Sequence, residues 1–131
     1  MKTQIASSWN GWSGDTVVEL DDGTFWQQDE YLYEYLYAYR PAAEITNGAM
    51  KVEGMSRAVR VRRISASRAT VNGEWRGWYG KTVVELTDGT RWQPAEYHYE
   101  YHYAYRPDVL LFDDKMLVDD MDEAVRVRRL R

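Results

Sequence analysis

The residues best suited to chemistry lie at alternate positions of one segment. His98, Glu100 and His102 offer two imidazoles and a carboxylate, ligand types that bind zinc, nickel and copper. On an extended strand, however, the two imidazoles stand roughly 13 Å apart, because alternate residues are separated by about 7 Å. The first half of the sequence has Leu32 and Leu36 at the corresponding positions. We therefore expect no intramolecular metal site and no cofactor.

Two carboxylate pairs are the candidates for acid–base catalysis. Glu19 with Glu34, and Glu85 with Glu100, have the side chains that cleave glycosidic bonds, although exposed strand glutamates explain them equally well. The sequence contains no nucleophile elbow, no phosphate-binding glycine loop and no cysteine. We expect no catalytic residue and no enzyme, with a carboxylate- or metal-assisted enzyme as the third option.

Tyrosine occupies every second position of two segments, YLYEYLYAYRP and YHYEYHYAYRP. A period of two places the rings of each segment on one face of a strand. The first tyrosine row is Tyr31, Tyr33, Tyr35, Tyr37 and Tyr39, and the second tyrosine row is Tyr97, Tyr99, Tyr101, Tyr103 and Tyr105. Together with Trp26 and Trp92, they form the candidate surface for a ligand or partner.

Three interpretations of the tyrosine rows are open. In the first, the rings pack on Trp9, Trp12 and Trp26 and belong to the core, as aromatic residues at strand spacing usually do. In the second, they form a contact between the two modules or between two chains, since tyrosine offers a large area at low side-chain entropy. In the third, they stack on bases or sugars. We expect most of these tyrosines to be substantially buried, by tryptophans of their own copy or across an interface between modules or chains.

Arginines form the second candidate surface, in the segment VRVRR that closes each half. Strand alternation points Arg60 and Arg62 outward, and likewise Arg126 and Arg128. Such a face is ordinarily solvated and discourages edge pairing. The alternative is an anion patch, because guanidinium groups suit phosphate. The net charge of −4 argues against a general nucleic-acid binder. We expect acidic segments to neutralise these arginines.

The sequence is a tandem repeat. A shift of 66 residues aligns WNGWSGDTVVELDDGTFWQ with WRGWYGKTVVELTDGTRWQ, and more than half of the positions are identical through Ile64 and Leu130. Such self-similarity marks a duplicated structural unit. We place the copies at residues 8–64 and 74–130, joined by a small, polar connector at residues 65–73.

Each copy has the pattern of short strands. TVVEL is followed by Asp22-Gly23 in the first copy, a dipeptide typical of two-residue hairpins. A turn centred there places Leu20 opposite Phe25 and outside the deepest core. About five short strands per copy, without helical periodicity, predict an all-β fold. We expect two tandem small SH3-like or partly open β-barrel modules.

With GxTVVELxDGTxWQ, YxYxYxYxYRP and AVRVRR in view, the chain resembles a family of small bacterial proteins of uncharacterised function that carry one or two copies of this module. The resemblance covers both copies. It implies a bacterial origin and a compact β fold, and it implies no catalytic residue. The opening MKTQIASSWNG lacks the apolar run of an export signal, so we expect a cytoplasmic location.

These patterns predict a non-enzymatic binding or self-association protein that uses aromatic sheet surfaces. Its expected partner is another protein or a second copy in a homodimer, and no membrane is involved. The alternative is a nucleic-acid or polyanion binder that uses the arginine-rich last strands and the tyrosine rows. Salt-dependent binding would distinguish that alternative, because phosphate contacts weaken as salt rises.

Overall fold

The computed structural model describes residues 1–121 and 123–131 and divides the chain into two compact units, Met1–Ser65 and Ala66–Arg131. Every secondary-structure element assigned to the described residues is a β-strand, so the prediction of an all-β protein is confirmed. Within the same residues, no helix has the length and apolar character needed to cross a membrane.

The first unit contains a six-stranded sheet and a narrow ribbon. Its strands are β1 (Lys2–Gln4), β2 (Ser8–Trp9), β3 (Trp12–Ser13), β4 (Val17–Glu19), β5 (Phe25–Gln28), β6 (Tyr33–Glu34), β7 (Ala38–Tyr39), β8 (Ala42–Thr46), β9 (Ala49–Val52) and β10 (Val59–Ile64). The sheet has the order β1-β8-β9-β10-β5-β4. The ribbon consists of β2 paired with β7 and β3 paired with β6.

The second unit repeats this arrangement. Its strands are β11 (Ser67–Thr70), β12 (Glu74–Tyr79), β13 (Val84–Glu85), β14 (Arg91–Pro94), β15 (Tyr99–Tyr105), β16 (Asp108–Phe112), β17 (Lys115–Val118) and β18 (Val125–Leu130). The sheet order, β11-β16-β17-β18-β14-β13, is equivalent strand by strand to that of the first unit. A single continuous pair, β12 with β15, forms its ribbon.

The first six-stranded sheet curls until its two edges meet. Ile5, directly after β1, forms an antiparallel bridge with Leu20, directly after β4. The backbone N–H of Ala6 donates to the carbonyl of Glu19 at 2.9 Å. These contacts join the edge strands, so the sheet is barrel-like and its edges pair with each other.

The predicted connector at residues 65–73 is where the structure departs from the predicted boundaries. Strand β11 lies within that stretch and pairs with β16, and Val71 then bridges to Leu86. Residues 65–73 are mostly small and polar because the side chains of an edge strand such as β11 are exposed or only partly buried, so the strand needs few apolar residues. The first unit likewise begins with β1, ahead of residue 8. Among the described residues the units therefore have ten and eight strands, more than the five or so expected for each copy.

The hairpin turn at Asp22-Gly23 is longer than predicted. Glu19, rather than Leu20, lies opposite Phe25. The backbone N–H of Leu20 donates to the carbonyl of Thr24 at 2.9 Å, so the loop has three residues instead of two. The Asp22 carboxylate accepts hydrogen bonds from the hydroxyl and backbone N–H of Thr24, which lowers the pKa of Asp22 and stabilises this loop. The shift of one residue turns Leu20 inward, where it is 1% exposed. The prediction that Leu20 lies outside the deepest core is wrong.

Valine and methionine fill the inside of each curled sheet. Met50, Val52 and Val59 have no exposed surface in the first unit, and Met116 and Val118 have none in the second. They alternate with exposed residues along strands such as β10, so the strand period decides which side chains enter the core. The tryptophans of the ribbon join the same clusters.

A β-bulge brings both ribbon tryptophans of the second unit to one side. Trp75 and Trp78 are three positions apart, and a regular strand would point them to opposite faces. The pairing of β12 with β15 shifts register between Trp75 and Gly77, which has φ +99°. Both indoles therefore point inward, with ring centroids 4.9 Å apart in a T-shaped arrangement.

The first unit uses Gly11 in the same way. Its φ is +94°, and a Cβ built there would overlap the backbone carbonyl of Glu34. Trp9 and Trp12 point inward with ring centroids 4.9 Å apart and an interplanar angle of 84°. The Trp9 indole N–H donates to the sulfur of Met55 at 3.4 Å, which ties the ribbon to the core.

We predict that Gly11→Ala destabilises the first unit more than Gly14→Ala does. Gly14 also has positive φ, +103°, but open space surrounds its Cβ position. Gly14→Ala should cost only backbone strain, about 1–2 kcal/mol, whereas Gly11→Ala must also displace the tyrosine strand. Urea unfolding measures both. Equal midpoints for the two variants would contradict the tight approach at Gly11.

Candidate functional site: the tyrosine faces

Both tyrosine rows point to solvent. The rings of the first row are 58% to 81% exposed and those of the second row are 50% to 83% exposed. The prediction that tryptophans of the same copy bury most of these tyrosines is therefore wrong, whereas burial against a second chain stays a prediction. Exposed and less exposed side chains alternate along the ribbon as the period of two predicts, but the tyrosines are on the outward side.

The inward side belongs to the residues between the tyrosines. Leu32, Leu36 and Ala38 pack against the core cluster of the first unit, to which Trp9 and Trp12 belong. The space that the tyrosine rings would need is thus filled by tryptophan and leucine. Since successive side chains of a strand point to opposite faces, all five tyrosines of the row must lie outside.

The first tyrosine face is the first tyrosine row with its cross-strand neighbours. Ser8 lies opposite Tyr39, and Ser13 lies opposite Tyr33. Asn10, between the inward Trp9 and the bulge, is exposed as well. These side chains are all neutral, and the small serines leave the rings uncovered.

The second tyrosine face has a different neighbouring strand. Tyr79 lies directly opposite Tyr99 and adds a sixth tyrosine ring to this face, 57% exposed. Arg76 and Glu74 form an ion pair at 2.9 Å, and that hydrogen bond, with smaller contributions from nearby groups such as Tyr101, raises the pKa of Arg76. The second face is therefore aromatic and charged.

The sequence analysis did not identify the strands that pair with the tyrosine segments. Arg76, Tyr79 and Asn10 join the tyrosine faces only because the ribbon pairs the W-x-G-W segment with the tyrosine strand. The signal was available in that motif, since glycine between two tryptophans is typical of a bulge with both large rings on one side.

Trp26 and Trp92 lie apart from the tyrosine faces. They are on β5 and β14 of the six-stranded sheets and pack, partly buried, against the cores of their units. Each indole N–H donates to a threonine hydroxyl two residues earlier, Thr24 or Thr90, at 2.9 Å. Both side chains therefore contribute to packing on the cores of their units.

The arginines of the last strands have mixed surroundings. All four arginines are exposed, and Arg62 and Arg128 each donate at 2.6 Å to a cross-strand glutamine, Gln27 and Gln93. In the first unit the backbone N–H of Arg60 donates to the Glu30 carboxylate at 2.7 Å, which lowers the pKa of Glu30. Glu30 also pairs with Arg57 at 3.3 Å. Acidic neighbours and glutamines thus occupy part of this surface.

The histidine segment lies on the inward side of the second ribbon. His98 Nε2 is 3.0 Å from Glu100 Oε1, and the two side chains are 21% and 25% exposed. Among residues 1–121 and 123–131, no group of three or more histidine, cysteine or carboxylate residues is arranged to hold a metal ion. The expectation of no metal site stays a prediction.

The candidate catalytic glutamates have structural partners. The Glu34 carboxylate accepts a hydrogen bond from the Ser56 hydroxyl at 2.6 Å, and the Glu85 carboxylate accepts one from the Asn72 amide at 3.0 Å. These bonds connect the ribbon or a sheet strand to a neighbouring turn. They give the glutamates a role in holding local structure.

Comparisons with known proteins add no identification. The chain matched no protein-family model, no curated protein and no solved structure. The functional argument therefore depends on the two faces themselves.

We predict that the tyrosine rows contribute little to folding stability. Tyr35→Ser removes a ring that is 72% exposed and should change the free energy of unfolding by less than about 1 kcal/mol. Trp12→Ala removes a ring that is 1% exposed and should cost about 3–5 kcal/mol. Urea melts of the two variants provide the comparison. A Tyr35→Ser loss as large as that of Trp12→Ala would show that the row belongs to the core.

We predict that the chain binds no zinc or nickel through His98 and His102. A regular strand holds the two imidazoles roughly 13 Å apart, whereas each ligand nitrogen must lie about 2 Å from the metal. Isothermal titration of chelator-treated protein should give no high-affinity binding. One ion per chain, lost in the His98→Leu variant that copies Leu32, would overturn the prediction.

Proposed function

We propose that the protein is a non-enzymatic binding protein that engages another protein, or a second copy of itself, through its tyrosine faces. The exposure of all ten row tyrosines supports this proposal. Water-exposed aromatic rings gathered on one face are uncommon in proteins that act alone, and larger patches of this kind mark interaction sites. Tyrosine is also among the residues enriched in protein interfaces.

The ribbon suits this role because one of its faces packs on the core and the other is exposed to solvent. Its inward side anchors it to the core through the paired tryptophans, so the outward side is not needed for folding. A tyrosine side chain has few rotatable bonds to immobilise on binding, so little side-chain entropy is lost. We infer from this division that the outward tyrosines serve recognition.

The proposed scaffold is two tandem modules of the SH3-like or partly open barrel kind. The curled six-stranded sheet with joined edges in each unit supports that assignment. Fold alone does not define a ligand, so the assignment of function rests on the faces.

The test compares matched surface variants of the full chain immobilised on beads. One variant carries Tyr33→Ser, Tyr35→Ser and Tyr37→Ser, a second carries Tyr99→Ser, Tyr101→Ser and Tyr103→Ser, and the control carries Arg60→Ser with Arg126→Ser. Proteins retained from a bacterial extract, together with added soluble copies of the chain, are quantified by mass spectrometry. At least one tyrosine variant should lose most of a reproducible set that the arginine control keeps.

Two outcomes would contradict the proposal. Retention that is unchanged in both tyrosine variants would show that the faces take no part in binding. Salt-sensitive retention of the chain on heparin or single-stranded oligonucleotides, lost in the arginine control alone, would instead support the polyanion binder.

A further inference from the structure

We propose that the first tyrosine face packs against the first tyrosine face of a second copy, in an antiparallel arrangement with two-fold symmetry. This inference rests on the proposed function and names the partner for one of the two faces. Such an interface is isologous, because the same surface patch contributes from both copies.

Charge distinguishes the first face from the second. The exposed neighbours of the first row on the adjoining strand are Ser8, Asn10 and Ser13, so none of these three adds a charge that would have to leave water. Burying the second face would cover Arg76 and Glu74, whose side chains are 67% and 51% exposed, and removing an ion pair from water carries a desolvation penalty. Packing of a tyrosine face against the same face of a second chain is therefore more favourable for the first face than for the second.

The spacing of the first row also fits a copy of itself. Alternate side chains of a strand repeat at about 7 Å, so two antiparallel rows have the same period and their rings fit between one another. Sheets that pack face to face in this way are about 10 Å apart, the distance that interdigitated side chains fill. The small side chains of Ser8 and Ser13 leave room beside the rings.

The two ends of the first row carry opposite charges. Asp29, exposed, precedes the row, and Arg40 follows it. Arg40 pairs with Asp21 at 2.6 Å and keeps 40% of its side chain exposed. In an antiparallel arrangement, Asp29 of each copy lies near Arg40 of the other, whereas a parallel arrangement would place like charges together.

The area is close to what a specific dimer uses. Five tyrosines, each with about 150–250 Å² of total surface and mostly exposed, offer about 700 Å² on each copy. Standard interfaces bury about 800 Å² per partner. The neighbouring serines and Asn10 supply part of the remainder, so we expect a reversible dimer.

Sedimentation velocity of the full chain over a wide concentration range tests the proposal. The unaltered chain should show a monomer–dimer equilibrium. Tyr33→Ser with Tyr35→Ser and Tyr37→Ser should weaken the dimer at least tenfold, while Tyr99→Ser with Tyr101→Ser and Tyr103→Ser should leave it unchanged. Because all six rings are exposed, circular dichroism should show that both variants stay folded.

A charge variant tests the antiparallel arrangement. Asp29→Lys places a cation near the partner's Arg40 and should weaken the dimer several-fold. Glu53→Lys, the same charge change at an exposed position in the turn after β9, should have no effect. Equal effects of the two substitutions would overturn the arrangement.

A monomeric chain at every concentration, or a dimer lost only in the second-row variant, would overturn the homotypic interface. That failure is separate from failure of the proposed function. A monomer that still retains other proteins through its tyrosine rows would leave the proposed function standing, whereas a monomer with no row-dependent binding would remove both.

Discussion

The bulge at Gly11 and Gly77 is the constraint on which the rest of each unit depends. Only a residue without a Cβ can approach the tyrosine strand so closely at positive φ. Because of the bulge, two tryptophans three positions apart both point inward and pack edge to face. The inward side of the ribbon is then full, and strand alternation leaves every tyrosine of the row outside.

This constraint separates the residues that stabilise the fold from the surface proposed for recognition. The free energy of burial comes from tryptophan, leucine, valine and methionine inside, while the tyrosines outside remain free to contact another surface. The duplicated units share this plan, but their faces differ through the neighbouring strand. Ser13 in the first unit corresponds to Tyr79 in the second, and Asn10 corresponds to Arg76. We expect the two faces to have different partners.

The sequence was sufficient to predict the all-β class and the hairpin at Asp22-Gly23, because β-branched runs and turn dipeptides act locally. It was not sufficient for the face of the tyrosine strand. Periodicity divides the side chains of a strand between two faces but does not show which face is buried. Because aromatic residues are usually buried, the tyrosine face was predicted to be inside, and it is outside. Strand β11 was missed because an edge strand that joins a curled sheet depends on distant backbone partners rather than on its own composition.

Hydroxyl-radical footprinting of the dilute chain, at a concentration where it is monomeric, tests the central claim most directly. Tyrosine and tryptophan both react readily when exposed, so their modification rates report which rings face water. The structure predicts rapid modification of Tyr33, Tyr35 and Tyr37 and strong protection of Trp9 and Trp12. Protected tyrosines together with reactive tryptophans would contradict the account, since the ribbon would then present its opposite face.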